Sequence, residues 1–209
     1  IINALRQAII RDDIAEVRDL FLQMGLTRFG NQNKPTPVDE AHSIIWFLEN
    51  VFYKVIPQIQ HKLPCQTTCI ELGFWPGGDR DGNPFVTAEV TLEVADKLRS
   101  SLLRCYYQDL QALRRRLTFA GISELLTAIA LKIRHDSYLS SSQLITDLQQ
   151  VSKKLSNQYH GLFVNLVQDL IKKINLFHFY FAKIDIRQNS SIHRQVVADI
   201  LRSTSLCPD

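Results

Sequence analysis

Residues 74–87 read FWPGGDRDGNPFVT, a knot of turn-forming residues set between stretches rich in Leu, Ile, Gln and charge. Three of the chain's eight glycines and two of its seven prolines fall here, beside Asp79, Arg80, Asp81 and Asn83. The segment leading in, TTCIELGF at 67–74, alternates and carries β-branched and aromatic residues, which predicts a short strand. On the far side, Thr87 is placed to cap a helix reaching about Leu117 through Leu92, Ala95, Leu98, Leu102, Leu103 and Tyr106. Strand, glycine-rich turn and capped helix is a recurrent way to present backbone N–H groups and a helix N-terminus to an anion. Calcium is the other ligand class to weigh, since Asp79, Asp81 and Asn83 take the first, third and fifth places of an EF-hand-like loop. That template then fails, with Pro84 where Gly is needed and Val90 where a bidentate Glu is needed. The spacings of a P-loop and of a dinucleotide fingerprint are absent as well.

Outward from the knot the pattern is helical. Residues 2–25 form two short helices or one bent one, broken at Asp12-Asp13, and GNQNKPTP at 30–37 is a loop. Thr36-Pro37-Val38-Asp39 offers an N-cap with proline at the first helical position. The helix that follows has an apolar face of Ala41, Ile44, Ile45, Leu48, Val51, Phe52, Val55 and Ile56, and Pro57 should kink or end it. Three more helices are expected near 122–134, 142–156 and 161–177, and a last one near 190–203 capped by Asn189 or Ser190. FHFYFAKIDIRQ at 177–188 changes to a period of two and predicts a second strand.

Composition narrows the function. With 24 basic against 21 acidic side chains and a net charge of +3, the chain carries no strong field for nucleic acid. Arg114, Arg115 and Arg116 read as a solvated helix end rather than an anion site. Apolar runs such as Ile44–Leu48 are far short of the roughly 20 residues that cross a bilayer, so a soluble, cytoplasmic chain is expected. Cys65, Cys69, Cys105 and Cys207 form no CxxC pair, which favours reduced thiols over zinc or disulfides. The absence of an initiator Met and the trailing STSLCPD read as a piece of something longer.

Three segments together are specific. WPGGDRDGNPFVT at 75–87 closely resembles the WxGGDRDGNPxVT segment of phosphoenolpyruvate carboxylases, IDIRQNSSIH at 184–193 resembles that family's DIRQES..H segment, and KPTPVDEA at 34–41 resembles its RPSPVDEA stretch. They occur in the family's order. The resemblance implies a mainly α, helical fragment, taken as one domain over 1–209, that contributes about two strands to an α/β phosphoenolpyruvate-binding, TIM-like barrel. It also implies the family's reaction, in which phosphoenolpyruvate and bicarbonate give oxaloacetate and phosphate with Mg²⁺ or Mn²⁺, and the family's homotetramer.

Carried over residue by residue, Arg187 matches the arginine that holds substrate phosphate, a task suited to a planar guanidinium fork. Trp75 matches the tryptophan walling the apolar pocket around the substrate methylene. Gly77, Gly78, Asp79, Arg80, Asp81, Gly82 and Asn83 match the motif core and are assigned a site-shaping role, while tight-turn Asp and Arg also satisfy one another and the backbone. His193 matches the motif histidine and is read as a surface or supporting residue. Asn189 stands where the family usually has Glu, and Pro76 replaces a larger residue. Neither an HPT[EQ] segment, which carries the family's catalytic histidine, nor GRGG-type arginine loops occur in the chain. The 209 residues are therefore expected to hold no catalytic residue and no metal ligand, to need the rest of a parent chain, and to be inactive alone. The competing reading is a helical interaction module without enzymatic ancestry, which has no use for an arginine at the end of an alternating strand.

Overall fold

The computed structural model describes residues 1–27, 34–63 and 70–204. The chain divides into two compact units, Ile1–Pro35 and Thr36–Asp209. Cys65, Cys69, Cys207, residues 67–69 of the first expected strand and residues 30–33 of the loop at 30–37 lie outside the described residues. The first unit is a helical hairpin of α1 (Ile2–Ile10) and α2 (Ile14–Leu26). The chain reverses at Asp12, in the left-handed region at φ 55°, and Asp13 caps α2 by accepting the Glu16 N–H at 3.0 Å. The break falls at the Asp12-Asp13 pair, as its capping chemistry implies.

Among the described residues the second unit is mainly helical, with one pair of parallel strands. It contains α3 (Pro37–Phe47), a π-helical turn (Leu48–Phe52), α4 (Tyr53–Lys62), β1 (Gly73–Phe74), α5 (Ala88–Arg116), α6 (Ser123–Arg134), α7 (Ser141–Gln158), α8 (Val164–Phe177), β2 (Lys183–Ile184) and α9 (Ser190–Ser203). Thr36 and Asp39 close a capping box at the head of α3: Asp39 N–H donates to the Thr36 hydroxyl oxygen at 3.2 Å, and Thr36 N–H donates to the Asp39 carboxylate at 3.0 Å. The Thr36 hydroxyl, which also donates to the Asp39 carboxylate at 2.6 Å, and then the Thr36 N–H hold the Asp39 carboxyl below its ordinary value.

The π turn corrects the expected face of this helix. Ala41, Ile45 and Leu48 are buried as periodicity requires, but the next inward residue is Tyr53, five positions on, and then Ile56. One extra residue in the turn moves Val51, Phe52 and Val55 outward, where they are 39–41% exposed. Glu49 ties the turn down, accepting from the Ser101 hydroxyl at 2.7 Å and pairing with Arg104 at 2.6 Å. Pro57 neither ends nor interrupts α4, which runs on to Lys62.

Helix α5, 29 residues long, is the axis of the core and packs against α3, α6 and α8. Leu98, Leu102, Tyr106 and Leu110 are at most 1% exposed. Its first turns differ from expectation: Leu92 and Ala95 face solvent, and Val94 is the buried residue. An aromatic cluster of Tyr53, Tyr106, Phe177 and Phe181 joins α4, α5 and α8, with Tyr53 stacked on Phe177 at 5.6 Å. The Tyr53 hydroxyl donates to Asp109 at 2.7 Å, Lys173 pairs with the same carboxylate at 2.6 Å, and burial together with Asp109 pushes the phenol far above its ordinary pKa. Cys105 is buried beside this cluster, its thiol pushed up to about 12 chiefly by desolvation.

The second strand is shorter than the alternation at 177–188 implies. Phe177 still belongs to α8, and His178 (φ 51°, ψ −122°) and Phe181 (φ 55°) stand at positive φ, turning the chain sharply before β2. Phe179, Phe181 and Ala182 are all buried, so the run fills the core from a turn rather than alternating across a sheet. Such backbone costs about 1–3 kcal/mol per residue and needs surrounding support. Here the buried Tyr106 hydroxyl donates to the His178 carbonyl at 2.8 Å. Tyr106→Phe, which strands that carbonyl, is expected to cost about 1–3 kcal/mol in urea unfolding. An unchanged midpoint would show that the turn holds without it.

Candidate functional site: the GGDRDG turn and its strand partner

β1 and β2 pair in parallel, Gly73 opposite Lys183 and Phe74 opposite Ile184. The Lys183 and Asp185 N–H groups donate to the Leu72 and Phe74 carbonyls at 2.8 and 2.9 Å. Beyond β1 the chain turns at Trp75-Pro76-Gly77-Gly78, with the Gly78 N–H donating to the Trp75 carbonyl at 2.9 Å. Proline second and a glycine at φ 78° third is the signature of a type II turn, which gives Pro76 a local reason. Gly77 also makes room for α5: a Cβ there would lie 2.8 Å from Val94, which explains why Val94 is the buried residue of the first helical turns.

The chain then pairs again, Asp79 bridging to Arg187. Arg187 N–H donates to the Gly78 carbonyl and Arg80 N–H to the Arg187 carbonyl, both at 2.9 Å. The close approach is possible only because position 78 lacks a side chain, since a Cβ there would stand 2.1 Å from the Asp185 carbonyl oxygen. The two segments that sequence reading singled out, 75–87 and 184–193, are thus joined by backbone hydrogen bonds at Gly78, Arg80 and Arg187.

Arg80 and Thr91 fasten the turn to α5. Arg80 Nη2 donates to the Thr91 hydroxyl at 3.2 Å, and that hydroxyl donates to the Gly77 carbonyl at 2.6 Å. Arg80 Nε is buried without a hydrogen-bond partner. Asn83 accepts the Phe85 N–H at 3.1 Å, and Thr87 caps α5. Gly82 leaves space beside the Asp79 carboxylate, where a Cβ would stand 3.4 Å away. Thr91 and Val94 were outside the sequence-based site, and their only signal there is a position within two turns of the Thr87 cap.

Trp75 and Arg187 are among the side chains that face solvent here, with Asp81, Phe85 and Ile186. Trp75 is 52% exposed directly after β1, and Arg187 is exposed on the partner segment. Among the described residues, the Arg187 guanidinium is in no hydrogen bond or ion pair, so its five donors are available. His193 lies on the exposed surface of α9, whose cap Asn189 accepts the Ser191 N–H at 3.0 Å. Arg114 donates to Thr127 at 3.1 Å and to Gln111 at 3.2 Å, so it serves the α5–α6 contact.

Asp79 and Asp81 stand close enough that hydrogen bonding to Asp81 raises the Asp79 pKa above 3.8, with Arg187 pulling the other way. A carboxyl whose folded-state pKa is raised favours folding below its unfolded value and loses that contribution as pH climbs through the raised one. Asp81→Asn should therefore return the Asp79 titration toward 3.8, read from its carboxyl ¹³C shift. An unmoved titration would show that Asp81 is not the cause. Among the described residues no three His, Cys, Asp or Glu side chains are placed to hold a metal ion. No helix among them is long and apolar enough to cross a membrane.

A parallel strand pair whose glycine-rich turn opens a long helix, beside an arginine with no hydrogen bond or ion pair among the described residues, is an arrangement that can receive an anion. Comparison with known proteins narrows this class: the phosphoenolpyruvate carboxylase family profile matches residues 6–136 and 122–209. The chain belongs to that family. It is 28% identical to the phosphoenolpyruvate carboxylase of Aeromonas salmonicida over 92% of its own length and 27% of that protein. The Shewanella loihica enzyme is 29% identical over 91% and 27% of the two chains, and the Shewanella halifaxensis enzyme 28% over 89% and 26%. The chain thus spans about a quarter of the length of the curated relatives it matches.

Proposed function

We propose that the GGDRDG turn and Arg187 form one wall of a phosphoenolpyruvate site, in a longer polypeptide that carboxylates phosphoenolpyruvate with bicarbonate to oxaloacetate and phosphate. The observation carrying this reading is the backbone lock between Gly78, Arg80 and Arg187, which fixes the backbone of Arg187 just beyond β2, its guanidinium without a hydrogen bond or ion pair among the described residues. A planar fork fixed in this way can take two phosphate oxygens without first losing the freedom of its own backbone. Trp75 supplies an apolar wall for the substrate methylene, and the residues from Gly77 to Asn83 shape the mouth. Family membership supports the reaction and counts against a helical module without enzymatic ancestry.

Within this reading β1 and β2 are two staves of a TIM-like barrel whose other strands lie in the remainder of the polypeptide. The divalent cation, Mg²⁺ or Mn²⁺, is held by groups outside these 209 residues, and the parent acts in the cytoplasm as a homotetramer. The three motif segments at 34–41, 75–87 and 184–193 belong to one portion of that parent. The 209-residue chain supplied with phosphoenolpyruvate, bicarbonate and Mg²⁺ is expected to form no oxaloacetate, because it lacks the family's HPT[EQ] and GRGG segments. Appreciable turnover would sink the assignment of catalysis to the rest of the polypeptide.

A further inference from the structure

The helix formed by α3, the π turn and α4 is apolar on two faces. Its inner face, from Ala41 to Ile56, enters the core. Its outer face carries Phe47, Val51, Val55 and Ile59 at intervals of four, with Leu63 following at the C-cap, all between 37% and 51% exposed. Trp46, 56% exposed, packs edge-on against Phe47 at 5.1 Å and widens the stripe. Residues four apart share one side of a helix, so the first four make a continuous apolar row without a charge in it. The π turn contributes directly: by sending Tyr53 inward, it places Val51, Phe52 and Val55 outside.

A contiguous exposed apolar row of this length marks a surface that another surface covers. No described helix is long and apolar enough to span a membrane. A covering protein surface fits the length of the relatives, of which this chain covers 26–27%. We infer that the outer face of this helix is an internal packing surface, covered in a polypeptide of family length by an apolar surface of the remaining three quarters. This inference rests on family membership and not on the substrate reading. Covering of the stripe and binding of phosphoenolpyruvate are separate measurements, so either can fail without the other.

Val55→Cys tests it, because position 55 is at the centre of the row and the change is small at a half-exposed site. Maleimide labelling there, resolved by peptide mapping from labelling at the native cysteines, should be about tenfold or more slower in a polypeptide of family length than in the 209-residue chain, since thiol reactivity follows access. Circular dichroism melting of the variant confirms that it folds in both lengths. Equal rates in the two lengths would overturn the proposal. Slow labelling in the 209-residue chain together with a sedimenting dimer would overturn it too, by assigning the stripe to a second copy.

Discussion

Gly78→Ala is expected to break the register between the GGDRDG turn and β2. The new Cβ would stand 2.1 Å from the Asp185 carbonyl oxygen and 2.9 Å from both the Asp185 carbonyl carbon and Ile184 Cγ2, so backbone rather than a pliable side chain must move. Overpacking of this kind costs about 1–3 kcal/mol, or more where backbone blocks the way. For a chain of this size that lowers the melting temperature by about 2–4 °C per kcal/mol. The local consequence is larger than the global one. The Arg187 N–H to Gly78 carbonyl bond and the Arg80 N–H to Arg187 carbonyl bond share the same strained contact, and both should open. Amide hydrogen exchange reads them individually: Arg80 and Arg187 should lose protection while Leu102 and Leu110 in α5 keep theirs. Retained protection at Arg80 and Arg187 would mean that the strands tolerate a side chain at 78 and that the lock does not depend on glycine there.

Much of this arrangement was legible in the sequence, and for local reasons. The Asp12-Asp13 break, the Thr36 capping box, the Thr87 cap and the Asn189 cap rest on side-chain chemistry within a few residues, which a sequence displays directly. The π turn was not, because its cause is long-range: Glu49 is held by Ser101 and Arg104 of α5, and Tyr53 is drawn inward by Phe177 and Asp109. The extent of β2 failed for a related reason. Alternation at 177–188 counted Phe179 and Phe181 as one face of a strand, whereas positive φ at His178 and Phe181 folds them into the core. At the site, the motif residues were all visible beforehand. Only the three-dimensional structure shows that Gly77 serves Val94 and Gly78 serves Asp185, so that adjacent glycines answer to a helix and to a strand.

The second large effect concerns Arg187. In a polypeptide of family length, Arg187→Gln should weaken phosphoenolpyruvate binding about 10–150-fold, the equivalent of about 1.5–3 kcal/mol for hydrogen bonds to a charged group. Arg187→Lys should recover only part of this, because a point charge replaces a two-pronged donor. The side chain makes no hydrogen bond or ion pair among the described residues, so the loss should come with little change in melting temperature. That combination separates a ligand-binding role from a structural one. Arg80 is the contrast, since its guanidinium is committed to Thr91 and its replacement should lower stability.

That Arg187, held by the turn, meets the substrate phosphate is our proposal. Its most direct test is the structure of a family-length polypeptide with phosphoenolpyruvate bound. The expected result is a guanidinium nitrogen of Arg187 at hydrogen-bond distance, about 2.7–3.2 Å, from a phosphate oxygen, with Trp75 against the substrate methylene. A phosphate held by other cations, with Arg187 farther than about twice that distance, would contradict the account.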